Sequence, residues 1–174
     1  MSLFTIQLLT LFDDNTIAGL SEVLIDAVEG GASVGFVEPM TIAKAQHYWQ
    51  KLKSSVEQGE RLVWGAFDAE NKLIGTVTLI MDLPENQPHR ADLVKLLVHR
   101  KARQQGVGEA LMRAAEQTAY ERGKTLLVLD TATYTAERLY QRLQWQKVGT
   151  VPNYALMPDH SLCATNFYYK ILTK

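Results

Sequence analysis

Residues 103–108 read Arg103-Gln104-Gln105-Gly106-Val107-Gly108, an Arg-x-x-Gly-x-Gly turn between an apolar stretch at 92–98 and an amphipathic helix. A turn of this kind gathers free backbone N–H groups at the positive end of a helix, where a pyrophosphate is well received. A P-loop would need Lys and Ser or Thr straight after its last glycine, but Glu109 and Ala110 follow Gly108. A dinucleotide fold would need a third glycine and a place at the first strand, whereas this turn lies past the midpoint of the chain. Two carboxylates, Asp92 and Asp130, interrupt otherwise apolar strands. An unpaired carboxylate there is costly, and such a group suits holding an ammonium and taking its proton. The plain alternatives are an edge position for Asp92, a cap or turn role for Asp130 near Thr131, and core packing for Tyr140 beside Leu139 and Leu143.

These groups need a sheet to carry them. Residues 1–10 read as a strand, and Asp13, Asp14 or Asn15 can cap a helix with apolar residues Ile17, Leu20, Val23, Leu24, Ala27 and Val28 at helical spacing. Gly30 and Gly31 end it, residues 30–36 form an irregular linker, and a second helix spans about Thr41 to Gly59. Residues 61–67 and 72–81 form a hairpin around Asp68-Ala69-Glu70-Asn71. A strand at 91–98, a helix at 107–122 and a strand at 125–131 make a crossover, so those strands are expected to be parallel. A short helix at 135–143 and strands at 146–151 and 163–172 complete an α+β order, βααβββαβαββ.

The 174 residues fit one domain, with 47% hydrophobic and 21% charged residues and a net charge of −1. There is no basic stripe for nucleic acid, no signal peptide is expected, and no run approaches the ~18 apolar residues that span a bilayer. Cys163, the sole cysteine, cannot form an internal disulfide; it reads as an ordinary buried thiol and suits a reducing cytoplasm. His47, His89, His99 and His160 lack ligand spacing, so no metal is expected. Phe36, Trp49, Tyr134 and Tyr154 could wall a pocket, although aromatics at such places more often belong to a core.

A third phosphate-binding pattern, Gln/Arg-x-x-Gly-x-Gly/Ala between a strand and a helix, matches directly through Arg103, Gly106 and Gly108. It is the pattern of the Gcn5-related N-acetyltransferases (GNAT). Downstream, Ala136, Leu139, Tyr140 and Leu143 repeat the Ala-x-x-Leu-Tyr-x-x-Leu of that family. The chain thus resembles the family over residues 91–150, and the remaining elements follow its order. A closer likeness is to its tabtoxin-resistance branch, bacterial enzymes that inactivate a β-lactam amino-acid toxin. It rests on residues 30–36, Arg90-Ala91-Asp92, Leu129-Asp130-Thr131, residues 148–154 and Phe167-Tyr168-Tyr169-Lys170. Two departures stand out: Thr133 replaces the usual Asn three residues before the Ala, and Leu143-Gln144-Trp145 replaces Leu-Gly-Phe.

The resemblance implies one GNAT domain over 1–174, with a mixed, mostly antiparallel sheet, a central parallel strand pair and flanking helices. It implies acetyl-CoA as co-substrate, with the pantetheine arm along the backbone of Leu96, Leu97 and Val98. An N–H of Leu97 or Val98 would polarise the thioester carbonyl. The amides of Gln104, Gln105, Gly106, Val107 and Gly108 would hold the pyrophosphate, Arg103 would add a charge-assisted contact, and Thr133 stands where a side chain meets the cofactor's arm. Tyr140 corresponds to the general acid; Asp92 and Asp130 would bind the ammonium and accept its proton. Gly35 and Phe36, with these aspartates, would shape the acceptor site. The expected partner is a small-molecule amine such as an amino acid, antibiotic or toxin, with no nucleic acid or membrane, in the cytoplasm; a homodimer is compatible. The alternatives are acetylation of protein N-termini or lysines, and a non-catalytic CoA-binding sensor.

Overall fold

In the computed structural model, which describes residues 3–173, one seven-stranded sheet has the order β1-β2-β3-β4-β5-β7-β6. Its strands are β1 (Phe4–Leu8), β2 (Arg61–Asp68), β3 (Leu73–Ile80), β4 (Arg90–Val98), β5 (Leu126–Thr131), β6 (Gln146–Leu156) and β7 (Leu162–Ile171). The helices are α1 (Asp14–Glu29), α2 (Ile42–Glu57), α3 (Val107–Glu121) and α4 (Tyr134–Arg142). The expected element order is the observed one, and the ends of the first strand expected at Met1 and Ser2 lie outside the described residues. Only β4 and β5 are parallel, as a crossover through α3 requires; every other neighbouring pair is antiparallel.

Each helix forms where its apolar stripe has a sheet face to cover. Asp13 caps α1 by accepting the Thr16 N–H at 2.8 Å, and Leu20, Val23, Leu24 and Val28 are then fully buried. With Trp49 of α2 they cover one face of the sheet around Val63 and Leu97. On the other face, Leu111, Met112 and Ala115 of α3 and Tyr140 of α4 pack on Leu79, Leu93, Leu127 and Tyr168. The last strand pair departs from expectation. β6 continues past Val151 to Leu156 through Pro152 and Asn153, with its register against β7 shifted between Val151 and Ala155. It is an edge strand, so Pro152 can face outward with no ladder bond lost.

One buried charge ties the helical layer to the turn that follows β4. Asp26 of α1 is 8% exposed and accepts the Arg100 backbone N–H at 2.8 Å and its Nε–H at 2.9 Å, with His99 Nε2 at 3.5 Å. Burial pushes the Asp26 carboxyl up, but the Arg100 hydrogen bonds and the His99 and Arg100 charges outweigh it and hold the group below the usual carboxylate range. A lowered folded value means stability that is present above the unfolded value and lost as pH falls through the folded one. Asp26→Asn should therefore cost about 1.5–3 kcal/mol at neutral pH, with the gap to wild type closing in acid. Urea titrations at pH 7 and pH 3 check this; an equal gap at both would remove the ion-pair account.

Candidate active site

β3 and β4 run in step from Ile80↔Asp92 to Thr78↔Val94, then resume at Thr76↔Leu97. Two steps along β3 oppose three along β4, so β4 carries one extra residue, a β-bulge. Lys95 lies in it at φ 54°, in the left-handed region. Because side chains alternate along a strand, the extra residue reverses the alternation. Before the bulge Ala91 and Leu93 face the α3–α4 core; after it Leu96 and Val98 do, and Leu97 turns under α1 and α2, only 3% exposed. Asp92 and Lys95 consequently share the α1–α2 side of the sheet.

The bulge also sets which backbone groups stay free. His99 N–H donates to Ile74 O at 2.9 Å. Antiparallel pairs alternate between bonded and non-bonded positions, so Leu97, opposite Thr76, turns its own backbone groups into β3. Val98, and one alternation back Leu96, turn theirs toward the β5 side. There the parallel pairing runs from Arg90↔Leu126 to Asp92↔Val128 and, among the described residues, goes no further. An opening between β4 and β5 begins just beyond Asp92. Of the three residues expected along the pantetheine arm, Leu97 is already engaged by β3.

The glycine turn lies at the α3 end of this opening. Gln104 and Gly106 take φ values of 61° and 85°, and Gly106 is the N-cap of α3 without any side-chain cap. Ala110 is the first α3 residue whose N–H finds the cap carbonyl, Gly106 O at 3.0 Å, so the amides before it remain available to a ligand. Gly106 is required by its φ, since a Cβ there would meet nothing within 4 Å. Gly108 packs closely: a Cβ would stand 3.3 Å from Leu139 Cδ2 and 3.7 Å from Val98 Cγ2. Val107 is buried, Arg103 Nε–H donates to Val98 O at 3.3 Å, and Gln105 Nε2 donates to Lys101 O at 3.0 Å. Thr133 caps α4 by position alone, its N–H reaching Thr131 Oγ1 at 3.3 Å.

Asp92 is half-buried and paired to Arg90 Nη1 at 2.9 Å. Burial raises its carboxyl above the usual range; the Arg90 charge opposes that and the Asp130 charge adds to it. Asp130, exposed near the end of β5, accepts the Thr165 hydroxyl at 2.8 Å. Tyr140 is 5% exposed, with its ring 6.1 Å from Trp145 and 5.8 Å from Tyr168. Its hydroxyl is pushed far up by burial and then by Asp130 and Tyr168, so it stays protonated. Among the described residues it has no hydrogen-bond partner. Asp130 therefore acts electrostatically on both Asp92 and Tyr140.

Over the same side of the sheet, the 30–36 linker is bridged to the β6–β7 hairpin. Ser33 Oγ lies 3.4 Å from Leu156 O and 3.6 Å from Cys163 Sγ, and Glu38 N–H donates to Pro158 O at 2.9 Å. Cys163 is thus a half-exposed thiol at this bridge, contrary to the expectation of a buried one, because the linker covers only part of it. Phe36 meets Tyr48 edge-on at 5.2 Å, and a Cβ on Gly35 would come within 3.3 Å of Lys95 Nζ. Trp49 is core, Tyr134 is 76% exposed, and Tyr154 is half-exposed with its ring against Phe167. Sequence reasoning does not single out Lys95, Tyr48, Thr165 or Ser33. For Lys95 a signal existed, the lone charge within Leu93-Val94-Lys95-Leu96-Leu97.

Residues 35–145 match the Acetyltransferase (GNAT) family. Human N-acetyltransferase 8 is 34% identical over 100 residues, which cover 56% of this chain and 44% of that protein, so the chain spans less than half of this relative's length. A GCN5-related N-acetyltransferase from Kribbella flavida superposes with a TM-score of 0.78 at 20% identity, covering 98% of each chain. The yncA protein of Salmonella typhimurium, solved with its cofactor acetyl-CoA, gives 0.78 at 14% identity over 98% of this chain and 95% of its own. At these identities the structural likeness is one of fold. The chain belongs to the GNAT acetyltransferase family, and its sheet, with one parallel pair among antiparallel strands, is the GNAT fold. Among the described residues no helix is long and apolar enough to cross a membrane, and no cluster of three His, Cys, Asp or Glu could hold a metal.

The Arg90 charge is what holds Asp92 down against burial and Asp130. Replacing it, as in Arg90→Met, should make Asp92 titrate at higher pH than in the wild type, followed by carboxyl-carbon NMR. An unchanged or lowered midpoint would show that the pair does not set this carboxyl.

Proposed function

We propose that the chain is an acetyl-CoA-dependent N-acetyltransferase acting on the amine of a small amino-acid-like molecule, including antibiotics or toxins of that kind, after the manner of the tabtoxin-resistance enzymes. What supports this reading is a β4–β5 pairing that ends at Asp92↔Val128, an uncapped glycine turn opening α3, and the Asp130 charge acting on both Asp92 and Tyr140. The donor's requirements fit the residues present. The turn amides and Arg103 suit a pyrophosphate, the outward backbone of Leu96 and Val98 suits an amide-bearing arm, and Thr133 borders it at the head of α4.

Acetyl-CoA supplies the acetyl group as a thioester. The residues around it handle protons and charge. An ammonium drawn to Asp130 and Asp92 loses a proton to one of them, the raised Asp92 carboxyl being the readier acceptor. The freed amine would form its bond to the acetyl carbon as the carbon–sulfur bond breaks, and the second proton that the nitrogen sheds as the amide forms would replace the one Tyr140 gives up. A Val98 N–H turned to the opening stabilises the developing oxyanion, and Tyr140, held protonated, gives its proton to the departing thiolate. A CoA-binding sensor would need none of these three groups. The bridge between the 30–36 linker and the β6–β7 hairpin favours a compact acceptor over an extended peptide. The single cysteine supports action in the cytoplasm.

Acetyl-CoA should raise the melting temperature. Gly106→Glu, which puts a carboxylate into open space beside the turn, should abolish that shift. Gly108→Trp should abolish it too, but would also disturb Leu139. Asp130→Asn and Tyr140→Phe should keep the shift and lose about 100-fold or more in turnover, measured by thiol release across amino acids, β-lactam amino acids, aminoglycosides, polyamines and peptides. No stabilisation by acetyl-CoA would sink the donor assignment; wild-type turnover in both variants would sink the roles of those residues.

A further inference from the structure

Apart from Arg90, which is paired to Asp92, Lys95 is the charged group on the α1–α2 side of β4 that the proposed chemistry leaves unused. The bulge places its ammonium beside a pair of rings, 5.8 Å from the centroid of Phe36 and 5.6 Å from that of Tyr48. Lys44 lies over Phe36 as well, at 5.9 Å, but its ammonium donates to Val37 O at 3.0 Å. Among the described residues Lys95 Nζ has neither a hydrogen bond nor an ion pair. Faces of aromatic rings attract a cation without quenching its hydrogen-bonding capacity, so three N–H donors remain unspent in a half-buried place where an unpaired charge is costly. Burial depresses the Lys95 ammonium below the usual lysine range, and the Asp130 charge offsets part of that.

The charges around this face come in two kinds. Arg90 and Asp92 already neutralise each other at 2.9 Å. Asp130 and Lys95 interact through space without an ion pair. One acidic and one basic group thus remain open on the same side of the sheet, beneath the linker that carries Gly35 and Phe36. A purely cationic acceptor, such as a polyamine, would set its ammonium against Asp130 but also against Lys95. A molecule with both signs satisfies both. Gly35 has a part here, since a side chain at that position would press on Lys95 Nζ from 3.3 Å.

We propose that Lys95 binds a carboxylate of the acceptor, making this site selective for zwitterions in which a free α-amino acid carboxylate meets Lys95 and the amine lies toward Asp130 and Asp92. The assignment rests on the acetyltransferase reading and narrows its acceptor class: free amino acids and their close relatives are taken, while polyamines, aminoglycosides and lysines within a protein are not.

The test uses the whole chain and a panel of free amino acids, each paired with its own carboxamide, which keeps the amine and removes the negative charge. Binding is measured by calorimetry without acetyl-CoA, and acetylation by mass spectrometry with it. The wild type should prefer at least one acid over its amide by roughly tenfold to a hundredfold, seen as a lower Kd and KM. Lys95→Met should erase that preference while leaving the acetyl-CoA melting shift intact, and Lys95→Arg should restore part of it. Equal use of acid and amide by the wild type overturns the assignment, as does a preference that survives in Lys95→Met. A panel in which no carboxylate-bearing molecule binds or is acetylated also overturns it, even if acetyl-CoA stabilises the protein. Failure of acetyl-CoA to stabilise the wild type instead strikes the donor reading, and the assignment with it.

Discussion

One extra residue in β4 governs the geometry of this protein. Without the bulge at Lys95, strict alternation from Leu93 would send Lys95 and Leu97 into the α3–α4 core and turn Leu96 and Val98 to the other side. With it, both halves of β4 bury apolar side chains against the proper layer, and Lys95 emerges beside the rings of Phe36 and Tyr48. The parallel pairing with β5 gives out just before the bulge, at Asp92↔Val128. A backbone edge of β4 is therefore left without a β5 partner inside the sheet. The cost is a lysine held at φ 54°, a conformation a non-glycine residue adopts against steric resistance.

Several polar ties keep that opening in shape. Asp26 fastens α1 to Arg100 at the head of the glycine turn. Glu116 of α3 accepts from Trp145 Nε1 at 2.8 Å and from Lys170 of β7, which ties the helix after the turn to the far side of the opening. Glu137 of α4 receives Asn166, Tyr168 and Lys147, so the helix carrying Tyr140 is clamped to β7 and β6. Tyr168, donating to that carboxylate, is pushed up to about 12 by burial and by Glu137. Each of these acids has partners on another element, which is the condition under which a withdrawn carboxylate stabilises a fold.

Much of this was legible in the chain. The helical spacing of Ile17, Leu20, Leu24 and Val28, a cap among Asp13, Asp14 and Asn15, a helix start near Thr41, and the hairpin at Asp68 are local signals, and the elements formed where they indicated. The glycine turn was legible because Gly106 answers a local demand on φ. Other features were hidden. Gln144 occupies a left-handed position at φ 63° where the family uses glycine, held there by Trp145 and Leu143 in the core beside it. β6 runs through Pro152 because no strand lies beyond it, a fact about sheet order. Cys163 looked buried from its apolar neighbours, yet the linker that partly covers it comes from 130 residues earlier in the chain.

The amino-acid sequence by itself determined the elements, their order, the parallel crossover and the glycine turn, since each depends on propensities and contacts close in the chain. The tertiary structure alone decided which groups face one another. Asp92 and Asp130 lie on neighbouring strands joined by a helix, and Lys95 reaches Phe36 and Tyr48 across a layer boundary. A strand's period of two predicts its faces only while the register is unbroken. A single bulged residue, set by how β4 must pack against two cores at once, changed which side chains share the site.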